Sequence, residues 1–411
     1  MGIRSAGATR WRHLPTGVRD QAAGEVAARR WLEGRLRELF ARWGYVEVGT
    51  PTLEFLDTFI QGAGAGIADR LLKLVDSGGE VLALRPEMTV PLARFAATRL
   101  LPSGELPLRL AYVAPVFRGQ ERGSGRLREF TQAGVELIGA DGVDADVEVI
   151  ALAAEALQAA GLPQPSLSLG HAGFLRGILS TLPEPAAETA RDLLYRRAFA
   201  ELDRVVPPGP ALEALRLVPT LRGATALDRA RGLAIAAESV DALQTLGTVL
   251  AGLEAHELGV AIDIDLGLIR DFDYYSGTVF EAHAARAGQP LLGGGRYDGL
   301  LARFGHPSPA TGFALGVDRV LDAGAGRPDG RSTVVARYGA GAYARAVQAA
   351  RRLREEGLAV IVTRAGDASP LAPAACTITI TQEGLSIDVD GSARDASRAI
   401  VDLVRTALGL R

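Results

Sequence analysis

The chain has 411 residues, 48% of them hydrophobic and 23% charged, which excludes a disordered chain and leaves room for two or three compact units. A formal charge of -3, from 45 basic against 48 acidic residues, predicts no overall attraction to nucleic acid. A single cysteine (Cys376) excludes an intrachain disulfide, the five histidines (His13, His171, His256, His283, His306) lack ligand spacing, and no stretch approaches a membrane span or a signal peptide. The expectation is a cytoplasmic protein with no metal, no cofactor and no membrane partner.

Along the chain, Leu32, Leu36, Leu39, Phe40 and Trp43 recur at helical spacing and predict an amphipathic helix over about 25–43. Residues 45–48 alternate like a half-buried strand that stops at Thr50-Pro51, and GAGAGIADR reads as a glycine-rich loop. Strand-like runs at 81–85, 108–117 and 128–139 are close enough in sequence to pair antiparallel. From Asp144 the pattern turns helical, with three acids expected in the first turn and a stop at Gly161 and Pro163. Residues from about 172 to 258 form a helical insertion. Strands then resume, since Val260, Ile262, Ile264 and Leu266 alternate with Ala261, Asp263 and Asp265. GGGRYDGLLARF reads as a turn entering a helix. After a linker near 326–332, strand and helix alternate through TVVARY, AYARAVQAARRLREEG, LAVIVTR, CTITIT, LSIDVD and ARDASRAIVDLVRTAL, a separate small α/β domain.

Several segments carry groups suited to recognition. Arg85-Pro86-Glu87-Met88-Thr89 puts a carboxylate and a hydroxyl, which suit an ammonium, at a strand end; a solvated strand end is the competing reading. Phe130, Gln132, Gly134 and Glu136 share one face of a strand. An aromatic, an amide and a carboxylate in one row make a poor apolar core, so the row either faces solvent or lines a polar pocket. Gly293-Gly294-Gly295-Arg296-Tyr297-Asp298 has neither the lysine of a phosphate loop nor the dinucleotide spacing.

Taken in order, FR...GRLREFTQAGVE, RDFDYYSGTVFE, GGGRYDGL and GFALGVDR resemble the motifs of histidyl-tRNA synthetase, with Pro51 in the place of its first motif, over roughly residues 14–325. The resemblance implies an α+β fold: a class II aminoacyl-tRNA synthetase-like antiparallel sheet flanked by helices, in a core of residues 1–329 with the helical insertion. Residues 330–411 would be a shortened relative of the anticodon-binding domain. Carried over by position, Glu87, Thr89 and Gln132 would hold the α-ammonium of histidine, Glu136 and Tyr275 its imidazole, and Tyr274 would wall the pocket. Arg118 and Arg270 would face the carboxylate, with Arg126 and Arg319 as vestigial nucleotide contacts.

Two functional classes follow: a histidine–tRNA ligase, and a non-catalytic histidine-binding regulator. The chain departs from the synthetase pattern at Gln120, where a glutamate reads the adenine, and at Met88, where RPEGT has a glycine that allows close approach. LPTGVRD and LLKLVDSGG are similar to the regulatory subunits of ATP phosphoribosyltransferase, and the C-terminal domain has basic residues nearly balanced by acids, so tRNA is not an expected partner. That resemblance implies a protein with no catalytic residues that binds L-histidine and joins a short catalytic subunit at the first step of histidine biosynthesis. It would act as a homodimer within a hetero-octamer-like complex.

Overall fold

The computed structural model describes residues 12–104, 106–119, 127–269, 274–285, 287–326, 333–367 and 374–389, with positions 402, 404, 406 and 408 of a C-terminal helix. The chain divides into two compact units, Met1–Arg327 and Pro328–Arg411.

The first unit opens with α1 (Ala23–Arg42), which buries Leu32, Leu36, Leu39 and Phe40 along the stripe its spacing predicts. Then come β1 (Val46–Glu47), β2 (Leu53–Phe55), α2 (Leu56–Ala63), β3 (Lys73–Val75), β4 (Val81–Leu84), α3 (Thr89–Phe95), β5 (Leu108–Phe117) and β6 (Glu129–Ile138). The long helix α4 (Val143–Ala159) leads to β7 (Ser166–His171) and to the insertion, which contains α5 (Ala172–Leu179), α6 (Glu184–Tyr195), α7 (Pro210–Leu217), α8 (Ala226–Arg231) and α9 (Ala237–Glu254). The unit closes through β8 (Ala261–Ile264), β9 (Thr278–His283), β10 (Leu292–Arg296), β11 (Ala310–Gly316) and α10 (Val317–Asp322).

Eight strands form one sheet in the order β1-β5-β6-β11-β10-β9-β7-β8, antiparallel through its centre and parallel only at the two edge pairs. One face is covered by α1 and α4: Ala133, Val135 and Leu137 of β6 join Leu36, Phe40, Ile150 and Ala154 in a single apolar core. The other face is left for the cavity described below.

Four expectations change. The 81–85 run pairs with β2 and β3 in a separate three-stranded sheet, not with β5, because it is spent on those two short neighbours. The glycine run is the buried strand β10, held between β9 and β11 on both sides; its backbone hydrogen bonds replace the packing its missing side chains cannot supply. Part of GAGAGIADR is a short 3-10 turn, Ala65–Arg70. Only Asp144 and Asp146 occupy the first turn of α4, Glu148 lying beyond it.

In the second unit, β12 (Thr333–Tyr338) pairs parallel with β13 (Ala359–Arg364) and β14 (Ala374–Ile380), and β15 (Leu385–Val389) adds antiparallel. Helix α11 (Tyr343–Glu355) lays Ala346, Ala349, Ala350 and Leu353 against Val334, Ala336, Cys376 and Ile378. The helix expected near the C-terminus lies mostly outside the described residues. Among those described, no helix is long and apolar enough to cross a membrane.

Candidate functional site

The pleat of β6 decides what faces the cavity. Its alternate residues Phe130, Gln132 and Glu136 point away from the helix-covered core and line a cavity of about 610 Å³, within the range of roughly 300–1,000 Å³ typical of small-molecule sites. Gln132 is 4% and Glu136 1% exposed, so the polar row lines a pocket and does not face solvent.

Glu87 precedes α3, and its carboxylate accepts the first free amides of that helix, Thr89 N–H at 2.6 Å and Val90 N–H at 2.9 Å. Burial pushes its pKa up, opposed by those two amides and by the Arg118 charge. The Thr89 hydroxyl donates to Glu136 Oε1 at 2.8 Å, and the Tyr297 hydroxyl donates to Glu136 Oε2. Burial drives the Glu136 pKa up to about 8, against the lowering donations from Tyr297 and Thr89 and with help from the nearby Glu87. A pKa of about 8 favours the protonated form of Glu136 at neutral pH. Gly312 faces Glu136 across β11, and a Cβ there would sit 1.9 Å from Glu136 Oε2, so only glycine leaves room for the carboxylate. Gln132 Oε1 is buried without a hydrogen-bond partner among the described residues, an acceptor suited to a ligand donor.

The ring of Tyr275 lies 4.8 Å from that of Tyr274, which in turn meets Tyr297 edge-on at 5.6 Å. Arg118 and Arg319 place their guanidinium carbons 5.2 and 5.6 Å from the Phe130 ring centroid. Arg118 also donates to the Pro86 carbonyl at 2.8 Å and Arg319 to the Pro290 carbonyl at 2.6 Å. The cavity thus gathers carboxylates, tyrosines and arginines on one lining, with Arg118 close enough to Glu87 to lower its pKa.

The structure brings together Glu87, Thr89, Arg118, Gln132, Glu136, Tyr274, Tyr275 and Arg319. Arg126, Arg270 and Gln120 lie outside the described residues. Tyr297 was missed as a site residue. The signal for it was the RYD triplet, in which alternation along β10 sends Arg296 and Tyr297 to opposite faces. Tyr195 and Arg197 reach the cavity from the insertion, which no local pattern announces. Met88 does not enter the cavity; it is buried with Leu92, Tyr112, Val116 and Phe130, so it supports the Phe130 ring and does not block a ligand.

A larger and more open cleft of about 870 Å³ lies between the end of α1, α4 and α9. Its Glu148 is already engaged by Arg109 at 2.8 and 2.7 Å and by the Tyr45 hydroxyl at 2.8 Å. No cluster of three potential metal-ligating side chains occurs among the described residues.

The family model for histidyl-tRNA synthetase matches residues 17–320. With the sheet and the site, this defines a protein of the class II aminoacyl-tRNA synthetase-like fold, of histidyl type. Among relatives, an ATP phosphoribosyltransferase regulatory subunit of Moorella thermoacetica is 46% identical over 363 residues, covering 85% of this chain and 91% of that one. Another, from Symbiobacterium thermophilum, is 44% identical and covers 85% and 90%. A crystal structure described as an ATP phosphoribosyltransferase regulatory subunit/histidyl-tRNA synthetase from Bacillus halodurans is 32% identical, with a TM-score of 0.79 over 87% of this chain and 94% of that one. The chain belongs to the family of ATP phosphoribosyltransferase regulatory subunits. A histidyl-tRNA synthetase from Nostoc, 19% identical with a TM-score of 0.75 over 95% of this chain and 99% of that one, shares the fold.

Proposed function

We propose that this chain is the regulatory subunit of ATP phosphoribosyltransferase, required for the first step of L-histidine biosynthesis, and that it binds histidine to relay activation and feedback inhibition to a short catalytic subunit. The observation that carries this reading is the buried acceptor set Glu87, Gln132 and Glu136 in one cavity. An ammonium has three protons to place, and Glu87, Thr89 and Gln132 supply oxygens for them. The imidazole would lie between Glu136 and Tyr275, with Tyr274 as a wall, and the carboxylate would meet Arg118 and Arg270. A protonated Glu136 can hand its proton to the incoming ring, so that an imidazolium and a carboxylate face each other in the filled site.

Regulation requires that histidine bind one state of the assembly better than another, since affinity alone shifts nothing. The reading includes a homodimer within a hetero-octamer-like complex; the exposed apolar side chains Phe55 (56%) and Val75 (67%) of the small sheet are the kind of surface such a contact would cover. The reading places the protein in the cytoplasm without catalytic residues of its own, and treats Arg126 and Arg319 as vestiges of a nucleotide site. The commitment of Arg319 to Phe130 and the Pro290 carbonyl supports this.

The test combines two assays on the purified chain. Added to the short catalytic subunit, it should raise ATP phosphoribosyltransferase activity, and histidine should reverse that gain. Histidine-dependent ATP–pyrophosphate exchange together with tRNA charging would overturn the reading in favour of a histidine–tRNA ligase.

A further inference from the structure

Arg296 ends β10 and Tyr297 follows it, and the continuing pleat sends their side chains to opposite faces of the sheet. Tyr297 goes to the cavity and donates to Glu136. Arg296 goes to the face covered by α4. There its Nε and Nη2 lie 3.0 and 2.9 Å from Asp146 Oδ1, and Nη2 donates to the Gly142 carbonyl at 2.8 Å. Its Nη1 donates to Asp298 Oδ1 at 3.1 Å. Arg296 is 7% and Asp146 3% exposed.

The same corner holds the turn that carries the two tyrosines. Ser276 N–H donates to the Arg296 carbonyl at 2.8 Å, and Asp298 N–H donates to Ser276 Oγ at 3.0 Å. Gly277 lies against the Arg296 stem, where a Cβ would come within 3.0 Å of Cδ. Gly295 has φ +155° and lies under the Tyr275 ring, where a Cβ would come within 3.0 Å of two ring carbons. A buried ion pair is weak evidence for stability, because apolar side chains of similar volume often serve as well; what it does supply is a defined geometry.

We propose that Arg296 is a positioning residue for the ring-recognising part of the cavity: by gripping Asp146 on the α4 face it sets Tyr297 on the opposite face and the Tyr274–Tyr275 turn. This rests on the reading of the cavity as a histidine receptor, and it assigns discrimination between histidine and ring analogues to a pair of residues that never touches the ligand.

The decisive variant is the apolar double substitution Arg296→Met with Asp146→Leu, accompanied by Asp146→Asn and Arg296→Lys, with melting curves to establish folding. Histidine and β-thienylalanine, which has the shape but no ring nitrogens, are titrated calorimetrically. The folded double variant and Asp146→Asn should lose about tenfold in affinity for histidine, the equivalent of one well-aligned hydrogen bond, while binding of the thienyl analogue changes little. Arg296→Lys, which keeps the charge, should recover part of the loss. Should the double variant fail to fold, Asp146→Asn decides. Undiminished preference for histidine over the analogue in a folded variant overturns the proposal. If the parent protein binds no histidine, the receptor reading fails by itself, and the positioning role is read from hydrogen exchange at the Ser276 and Asp298 amides. Faster exchange in the variants sustains the role, and unchanged exchange overturns it.

Discussion

Glu136→Gln keeps the shape of the side chain and removes its titration. In the folded protein burial holds the Glu136 pKa near 8, whereas the unfolded chain titrates near 4.5. Below the lower value both states are protonated, and the fold bears no penalty. As pH rises from there toward the upper value, the unfolded state ionises while the folded state stays neutral, so stability falls by about 1.4 kcal/mol per pH unit. At pH 7 this one group has removed roughly 3 kcal/mol relative to acid conditions. The glutamine variant should lack that slope. Its amide suits the donors Thr89 and Tyr297 less well, a constant cost, so slopes and not absolute stabilities are compared. Urea unfolding of both proteins from about pH 5 to about pH 8 provides the measurement, made without histidine. Parallel stability curves for the two proteins would refute the assignment of a proton to Glu136. With histidine added, the variant should gain about 2 kcal/mol less stabilisation than the parent, since a neutral amide replaces a charge-assisted acceptor.

Tyr297→Phe removes a donor that lowers the Glu136 pKa, so the loss of stability with rising pH should extend beyond pH 8, with a further cost of about 1 kcal/mol; a loss that ends at lower pH in the same urea series would contradict this. Gly312→Ala forces a methyl to within 1.9 Å of Glu136 Oε2 and 2.5 Å of the Val135 carbonyl. Melting with and without histidine should show a destabilisation of about 1–3 kcal/mol and no protection by the ligand. Met88→Gly should cost about 2–5 kcal/mol in urea, through the cavity left among Leu92, Tyr112, Val116 and Phe130, and should yield no pyrophosphate exchange. An unchanged stability would disprove that packing role.

Local periodicity made α1 legible, because Leu32, Leu36, Leu39 and Phe40 repeat at the helical interval and one stripe must find a core. It also marked Phe130, Gln132 and Glu136 as one face of a strand. The glycine strand β10 was illegible for the opposite reason. Gly294 has no side chain to signal a preference, and its place is set by the strands on either side, where a Cβ would meet the Gly312 carbonyl at 2.3 Å and the Phe280 ring at 2.5 Å. The packing of Met88 was not legible, because its neighbours in sequence line the cavity while its own side chain turns into an apolar cluster.

By itself, the amino-acid sequence determined the elements whose pattern is short-range and the identity of the polar residues that gather at the site. Only the tertiary structure decided what each of those residues can do. Whether the row on β6 met water or a pocket depended on which face α1 and α4 cover. The raised pKa of Glu136 is set by complete burial, opposed by the donors Thr89 and Tyr297, which lie 47 and 161 residues away along the chain. The Arg296–Asp146 pair joins positions 150 residues apart. Desolvation and long-range ion pairing are properties of the packed chain, and no local window of residues contains them.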